Sequence, residues 1–556
     1  MGNFLKNLFE QLHRAADGVV LREVHDQQFI SVTGRELLER VGRARGYLRG
    51  LGLGAGERCA LLGPNSIQWI AVDLALMAEG IVVVPLYARQ APAELAGMMK
   101  DCGPRALFVS DVAQGESVAQ VRPDAPPRIL LADVITKDPG GEAITDAPQP
   151  CKDGDLVTII YTSGTSGEPK GVCLNAGNLN HIVGCTTEWM DRLDWDSREP
   201  MRVFQYLPFN FAASWIVMLS CLSKETVLTL STDLNKLAGE IRLSAPNYFF
   251  NVPALFERVR RGVEEALSKR AAPIPLLYRN ALAEWRRKRE GLGNGGLWLL
   301  LARMLIFSKI RAQFGGNLRG LVCGSAPLAS ETQEFFTMLG IPVWQVYGLT
   351  ETCGICTMDD PRVESEAGRV GQAIPGTELM VGENDEIVVR GPNVFPGYWN
   401  RPGETARALQ GGVFHTGDQG EVNLRGNWRI SGRIKNLIIL NSGHNVAPEP
   451  IEEKIAQQVP GALQVVIVGN GRSYLCGLVA GGVEAEAVQA ALDQVNSELP
   501  HYRQVRSFVI LKNGFTPESG LLTANGKLRR DAINARFHEE IEQMYKKYAA
   551  AAGGNA

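Results

Sequence analysis

The chain has 556 residues, 45% of them hydrophobic and 21% charged, which is enough for more than one domain around a large interior. Its 57 basic and 60 acidic residues leave a formal net charge of −3, which excludes a general nucleic-acid binder. Ten cysteines scattered through the chain fit no disulfide framework and predict reduced thiols, as in a cytoplasmic protein.

The N-terminal "MGNFLKNLFEQLHRAADG" shows no secretory signal and carries Lys6 where a myristoylation signal needs Ser or Thr. Phe4, Leu5, Leu8, Phe9 and Leu12 form a helical stripe, open to two readings: a helix docked on its own domain, or one lying on a membrane surface. Thr33 is placed to cap a helix over 34–49. The pattern then predicts a strand at 58–62, a helix near 66–79, a strand at 81–86, a helix at 92–102 and a strand at 106–110. Asp73, Glu79 and Gly80 interrupt the apolar run 69–86, so it is not a membrane span. Such alternation implies parallel sheets covered by helices.

Residues 136–154, rich in Pro, Gly and Asp, read as a surface connection. The apolar strand 156–160 then leads into "YTSGTSGEPKGV", residues 161–172. Glycines allow close backbone approach, hydroxyls and N–H groups bind anions, and Lys170 adds a full positive charge. A Walker loop needs Ser or Thr directly after its lysine; Lys170 stands between Pro169 and Gly171, so that template fails. A second alternating block covers about 203–346. From Gly368 short, glycine-punctuated strands predict a small β-rich subdomain or barrel. After Lys435 an α+β module is expected, with helix 448–458, strand 463–468, helix 483–499 and strand 505–511; the tail "AAAGGNA" is expected to be disordered.

The loop at 161–172 resembles the phosphate loop of the adenylate-forming superfamily, and five more segments match that superfamily in order. They are "GSAPL" (324–328), "YGLTET" (347–352), "HTGD" (415–418), "SGRIKNLIILNSGHNVAPEPIE" (431–452) and "TANGKLRR" (523–530). The resemblance is nearest to the long-chain fatty acyl-CoA synthetases, through "YFFNVPALFERV" (248–259) and "FSKIRAQFGGNLRGLVCGSAPL" (307–328). Two departures stand out: Phe211 sits where many members have His, and Ser166 where Thr is usual.

The resemblance implies an α/β fold: two doubly wound subdomains and a small β-barrel over residues 1–432, a hinge at 433–436 and a mobile α+β domain over 437–556. The activity it implies is an ATP-dependent ligation of a medium- or long-chain fatty acid to CoA through acyl-AMP. A carrier protein is the rival acceptor, and a silent acyl-nucleotide-binding scaffold the rival of another class. By the same resemblance Thr162, Ser163, Gly164, Thr165, Ser166, Gly167 and Lys170 would hold phosphates. Gly324, Ser325, Ala326, Pro327, Gln345, Tyr347, Gly348 and Thr350 would meet the nucleotide, Tyr347 by stacking on adenine. Asp418 and Arg433 would reach the ribose. Thr162 and Glu351 would hold Mg²⁺, and Thr350, Glu351 and Lys527 would be catalytic. Lys435 would be the hinge about which the C-terminal domain turns. Ser442, Gly443 and His444 would line the CoA path.

A long acyl tail needs an apolar tunnel, because each buried methylene contributes about 0.8 kcal/mol. Tyr206, Phe209, Phe211, Trp215, Phe249 and Phe250 are candidates for its walls. Arg286–Arg289 beside Leu297–Leu301 reads either as a solvated charge run with a core helix or as a peripheral contact with the inner membrane surface.

Overall fold

The computed structural model describes residues 3–122, 124–136, 144, 147–162, 169–193, 199–292, 296–516, 519–523 and 526–553, with side chains through 547. Two units make up the chain: Met1–Leu379 with Val389–Phe414 and Val422–Trp428, and Met380–Val388 with His415–Glu421 and Arg429–Ala556.

The first unit is built on two sheets. All-apolar strands such as Val82–Leu86 and Ala106–Val109 are buried on both faces and run parallel to Arg58–Leu62 between them. The seven-stranded sheet has the order Gly397–Tyr398, Lys170–Asn175, Leu156–Thr162, Val82–Leu86, Arg58–Leu62, Ala106–Val109, Arg128–Leu130. Helix Ile67–Ala78 is apolar on every side and buried along its length, so the run at 69–86 is core. Its Asp73 accepts from the Trp215 indole at 2.9 Å, and burial raises that carboxyl to about 7. No helix among the described residues is long and apolar enough to cross a membrane.

The nine-stranded sheet has the order Gln372–Ala373, Thr357–Met358, Val343–Tyr347, Leu321–Cys323, Tyr248–Asn251, Met201–Gln205, Thr226–Leu230, Val19–His25, Gln28–Thr33. Its six members from Val343–Tyr347 to Val19–His25 are parallel. The hairpin 19–33 has no counterpart in the sequence reading. Its first strand alternates poorly and finds a parallel partner at Thr226–Leu230, some two hundred residues away. Thr33 does cap the following helix, Gly34–Gly50, in a reciprocal box with Glu36 at 2.8 and 3.2 Å. The N-terminal helix Phe4–Arg14 buries Phe4, Leu5, Leu8, Phe9 and Leu12. With that stripe spent on the protein's own core, the membrane-surface reading of this helix is set aside.

The second unit holds the body of a four-stranded sheet, ordered Glu378–Val381, Glu386–Arg390, Phe414–Val422, Trp428–Arg433. Beyond it a three-stranded sheet sets Leu475–Gly481 between Ala462–Val468, antiparallel, and Val505–Leu511, parallel. Period-two alternation sends Val465 and Ile467 to one face, against helices Glu449–Gln458 and Ala485–Ser497. It sends Val466 and Val468 to the other, with Ile533, Ile541 and Met544 of the last two helices. The central strand Leu475–Gly481 has no counterpart among the elements expected for this module. The final helix, His538–Gly553, continues into the alanine-rich end expected to be disordered, since alanine is the strongest helix former.

Candidate active site

Strands Leu156–Thr162 and Lys170–Asn175 pair antiparallel with Thr162 opposite Lys170, so the segment joining them starts and ends at neighbouring positions. Ser163, Gly164, Thr165, Ser166 and Gly167 lie outside the described residues. Lys170 forms an ion pair with Glu404, and its ammonium lies 5.5 Å from the centroid of the Tyr398 ring. The hydrogen bond from Lys170 holds the Glu404 carboxyl below its ordinary range. Tyr398 donates its hydroxyl to Glu351 Oε1 at 2.9 Å. Burial, then the Glu351 charge, pushes the phenol far above its ordinary range, so it stays a donor.

Backbone pairing produces this network. Gly397–Tyr398 adds to the outer edge of Lys170–Asn175, with Tyr398 opposite Val172. The 3₁₀ turn Thr350–Thr352 packs on the same strand, and Phe395 N–H donates to the Glu351 carbonyl at 2.9 Å. Buried Thr352 pins that turn by accepting from Leu349 N–H at 2.9 Å, which leaves Thr350 and Glu351 half-buried at its rim. A Cβ on Gly348 would sit 2.4 Å from the Gly354 carbonyl oxygen, so only glycine fits there. Thr162 and Glu351 offer a hydroxyl and a carboxylate, the all-oxygen donor class that suits Mg²⁺. Cys353 and Cys356 have C-x-x-C spacing, an exception to the reading of the cysteines as merely scattered. Both are fully buried, and none of the ten cysteines takes part in a disulfide.

The carboxyl ends of neighbouring parallel strands gather the remaining candidates of this unit, the place where open α/β sheets bind ligands. Strand Leu321–Cys323 ends at Gly324, whose N–H donates to the Asn251 carbonyl at 3.1 Å. Ser325 follows at φ 76°, a left-handed conformation uncommon outside glycine, and Ser325, Ala326 and Pro327 are exposed. Strand Val343–Tyr347 ends on Tyr347, directly before Gly348. Gln345 is buried, its N–H on Asp359 at 2.8 Å and its carboxamide on Gln333 at 2.7 Å.

In the second unit, Asp418 on strand Phe414–Val422 is buried, and Arg433 at the end of Trp428–Arg433 donates to it at 2.9 Å. Lys435 lies in the 3₁₀ turn Ile434–Asn436. Desolvation, then the charges of Arg433 and Lys527, lowers its ammonium to about 8, against the opposite pull of Asp418 and Asp531. The four candidates Asp418, Arg433, Lys435 and Lys527 thus share one neighbourhood. Lys527 itself is exposed on a tight turn: its N–H donates to Thr523 Oγ1 at 3.0 Å and its carbonyl accepts from Thr523 N–H at 2.8 Å. Arg530 anchors the end of the same motif by a two-pronged pair with buried Glu452 at 2.6 and 2.7 Å.

Residues 8–399 match the family model of the AMP-binding enzymes, and residues 435–549 that of the AMP-binding enzyme C-terminal domain. The chain belongs to the AMP-binding enzyme family. A protein of Mycobacterium bovis named long-chain-fatty-acid–CoA ligase is 27% identical over 98% of this chain and 97% of its own. The long chain acyl-CoA synthetase 3 of Arabidopsis thaliana is 26% identical over 95% and 89%. A solved fatty acyl CoA synthetase of Mycobacterium tuberculosis shares the fold at TM-score 0.64 and 23% identity, covering 96% of this chain and 99% of that one. So does an o-succinylbenzoate CoA synthetase of Bacillus subtilis in complex with its acyl-adenylate, at TM-score 0.73, 18% identity and 96% and 97% coverage.

In this AMP-binding enzyme the six aromatic candidates for an acyl pocket separate into two groups. Phe209, Trp215 and Phe249 are packed core: Phe209 against Trp69 at 4.9 Å, Trp215 on Asp73, Phe249 edge-on to Phe204 at 5.9 Å, with Tyr206 half-buried on the same cluster as Phe249. Phe211 and Phe250 stack on each other, 5.9 Å apart and 9° from parallel. A Cβ on Gly324 would touch Phe250 at 3.2 Å, and Gly354 abuts the backbone of Ala213, two residues past Phe211. The stacked pair therefore borders the "GSAPL" segment through Phe250, and Phe211 stands two residues from the backbone that Gly354 abuts. In the second unit Ser442, Gly443 and His444 form the turn between strands Ile438–Ile439 and Asn445–Val446, with Gly443 at φ 81°. Ser442 Oγ bonds His444 Nδ1 at 2.9 Å, and the imidazole stacks on Tyr502 at 4.3 Å. Tyr398, Glu404 and Tyr502 were missed by the sequence reading. Tyr398 stands 47 positions from Glu351, and only strand pairing joins them.

Proposed function

We propose that this chain is an ATP-dependent fatty acid–CoA ligase of medium- or long-chain specificity. The observation that carries it is the Lys170–Tyr398–Glu351 network at the base of the phosphate segment, in a chain that matches the AMP-binding family over both of its regions. The acid's carboxylate oxygen would bond to the α-phosphorus of ATP as the bond to the β-phosphate oxygen breaks, giving acyl-AMP and pyrophosphate. The CoA sulfur would then bond to the acyl carbon, lose its proton to solvent and release AMP.

The first step crowds negative charge, and the residues are of types that relieve it. Lys527 would neutralise charge between carboxylate and α-phosphate. Lys170 would face the distal phosphates, and Asp418, oriented by Arg433, would accept from the ribose hydroxyls. Thr162 and Glu351 would hold Mg²⁺, which supplies charge neutralisation for the departing pyrophosphate. Phe211 and Phe250 would begin the apolar wall. We assign residues 1–432 to the adenylating domain, 433–436 to a hinge at Lys435 and 437–556 to the mobile domain, with Ser442, Gly443 and His444 on the CoA side.

AMP release measured over acids of varied chain length, with and without CoA, tests this reading. Efficiency should climb through the medium range by up to about fourfold per methylene. Preference for acetate, benzoate or an amino acid would refute the chain-length assignment. AMP release dependent on a carrier protein instead of CoA would move the acceptor, and absence of ATP–pyrophosphate exchange with every acid would leave a nucleotide-binding scaffold.

A further inference from the structure

Asp418, the ribose candidate, follows a bend in its own strand. Within Phe414–Val422, Gly417 takes φ 69°, a left-handed conformation, one residue before Asp418. A single carboxylate on the neighbouring strand Glu386–Arg390 holds both sides of this bend. Glu386 Oε1 accepts from Gly417 N–H at 2.9 Å, and Glu386 Oε2 bonds His415 Nδ1 at 2.8 Å. The Glu386 side chain is only 16% exposed, against 37% for His415.

Flanking bonds fasten the same stretch. Thr416 donates to the Ile387 carbonyl at 2.6 Å and accepts from Asp418 N–H at 3.0 Å. Beyond Asp418, Gln419 donates to the Asn384 carbonyl at 2.7 Å. Residues 415, 416, 417 and 419 are thus all tied to the segment 384–387, while the Asp418 carboxylate takes Arg433 at 2.9 Å. Of these ties, the two at Glu386 end on a carboxylate, the stronger class of hydrogen bond. A group that accepts from two neighbouring hydroxyls must be placed to within about 0.5 Å, and supporting residues set that placement. A left-handed bend free to relax would shift Asp418 by more.

We propose that Glu386 is a positioning residue for nucleotide recognition. It touches no substrate; by holding His415 and Gly417 it sets Asp418 at the distance the ribose hydroxyls require. The proposal rests on the reading of Asp418 as the ribose contact. A purely structural role for Glu386 would make a different mark. Damage to the sheet weakens every nucleotide alike, whereas a displaced Asp418 weakens only nucleotides that have both hydroxyls to offer.

The full chain is titrated calorimetrically, in the presence of Mg²⁺, with ATP, 2′-deoxy-ATP and 3′-deoxy-ATP. The native chain should bind ATP at least about tenfold more tightly than either deoxynucleotide, the scale for losing a hydrogen bond to a carboxylate. Glu386→Ala should weaken ATP about tenfold and each deoxynucleotide no more than about threefold, so most of the discrimination disappears. Glu386→Gln, whose amide can accept from Gly417 and donate to the imidazole, should discriminate as the native chain does. If the alanine variant melts early, Glu386→Asp, which draws the carboxylate back by one methylene, is titrated in its place with the same expectation. Undiminished discrimination in the alanine or aspartate variant, or equal weakening of all three nucleotides, overturns the proposal alone. A native chain that binds the three nucleotides alike, unaltered by Asp418→Ala, overturns the reading of Asp418 and the proposal with it.

Discussion

The two groups of charged candidates are held in opposite ways. Lys170 and Glu351 sit in a mesh of side chains: an ion pair to Glu404, a tyrosine ring against the ammonium and its hydroxyl on the carboxylate, all tied to paired strands. Lys527 stands exposed on a turn closed by two bonds to Thr523, and Arg530 at the end of the same motif is locked to Glu452. A group that must meet the same phosphates in every turnover gains from being fixed in advance. A group that must arrive for one step and leave for the next is better carried on an exposed turn of a small domain.

The sharpest break of this contrast is Lys527→Ala. With no neighbouring cation on the same turn to substitute, acyl-AMP formation should fall roughly 10²–10³-fold, the scale for one lost electrostatic stabiliser. Acyl-CoA synthesis from supplied acyl-AMP should suffer far less. Equal losses in the two single-turnover assays would mean that Lys527 does not act in the first step alone.

Next is Lys435→Pro, which fixes φ near −65°. Adenylation should persist while thioester formation drops by at least about tenfold, the expectation for a hinge that absorbs a dihedral change. Lys435→Ala keeps φ free and should preserve both steps. If the alanine variant loses thioester formation as well, the Lys435 ammonium and not its backbone is what matters.

On the rigid side, Tyr398→Phe removes the hydroxyl from Glu351 but keeps the ring over Lys170. Loss of one hydrogen bond to a charged group, worth about 1.5–3 kcal/mol, should cost roughly tenfold or more in adenylation. The apparent Mg²⁺ requirement should rise with it. An unchanged Mg²⁺ titration would show that Tyr398 does not orient Glu351.

The smallest effect is expected from Glu404→Gln. The Lys170–Glu404 pair is partly exposed on both sides and worth about 1 kcal/mol or less, so adenylation should change no more than about fivefold. A collapse on the scale of Lys527→Ala would show that Glu404 does more than hold Lys170.

Much of this protein is legible in its sequence because the determining forces are local. Thr33 three residues before Glu36, the buried run Val82–Leu86, and helix and strand periods in the C-terminal module specify their own conformations. Six short segments in order carry the family likeness, because nucleotide chemistry needs hydroxyls, glycines, a lysine and carboxylates at close spacing. What depended on distant pairing was hidden. The hairpin 19–33 became part of the second sheet through a strand far along the chain. Aromatics chosen for an acyl wall divided into core fillers and the stacked pair Phe211–Phe250 according to which neighbours arrived. Tyr398 reached Glu351 only when a two-residue edge strand joined Lys170–Asn175. The leucine run at 297–301 was open to two readings, core or surface contact, because composition does not say which faces of a helix find partners: Leu299 is buried while Leu297 and Leu300 are exposed.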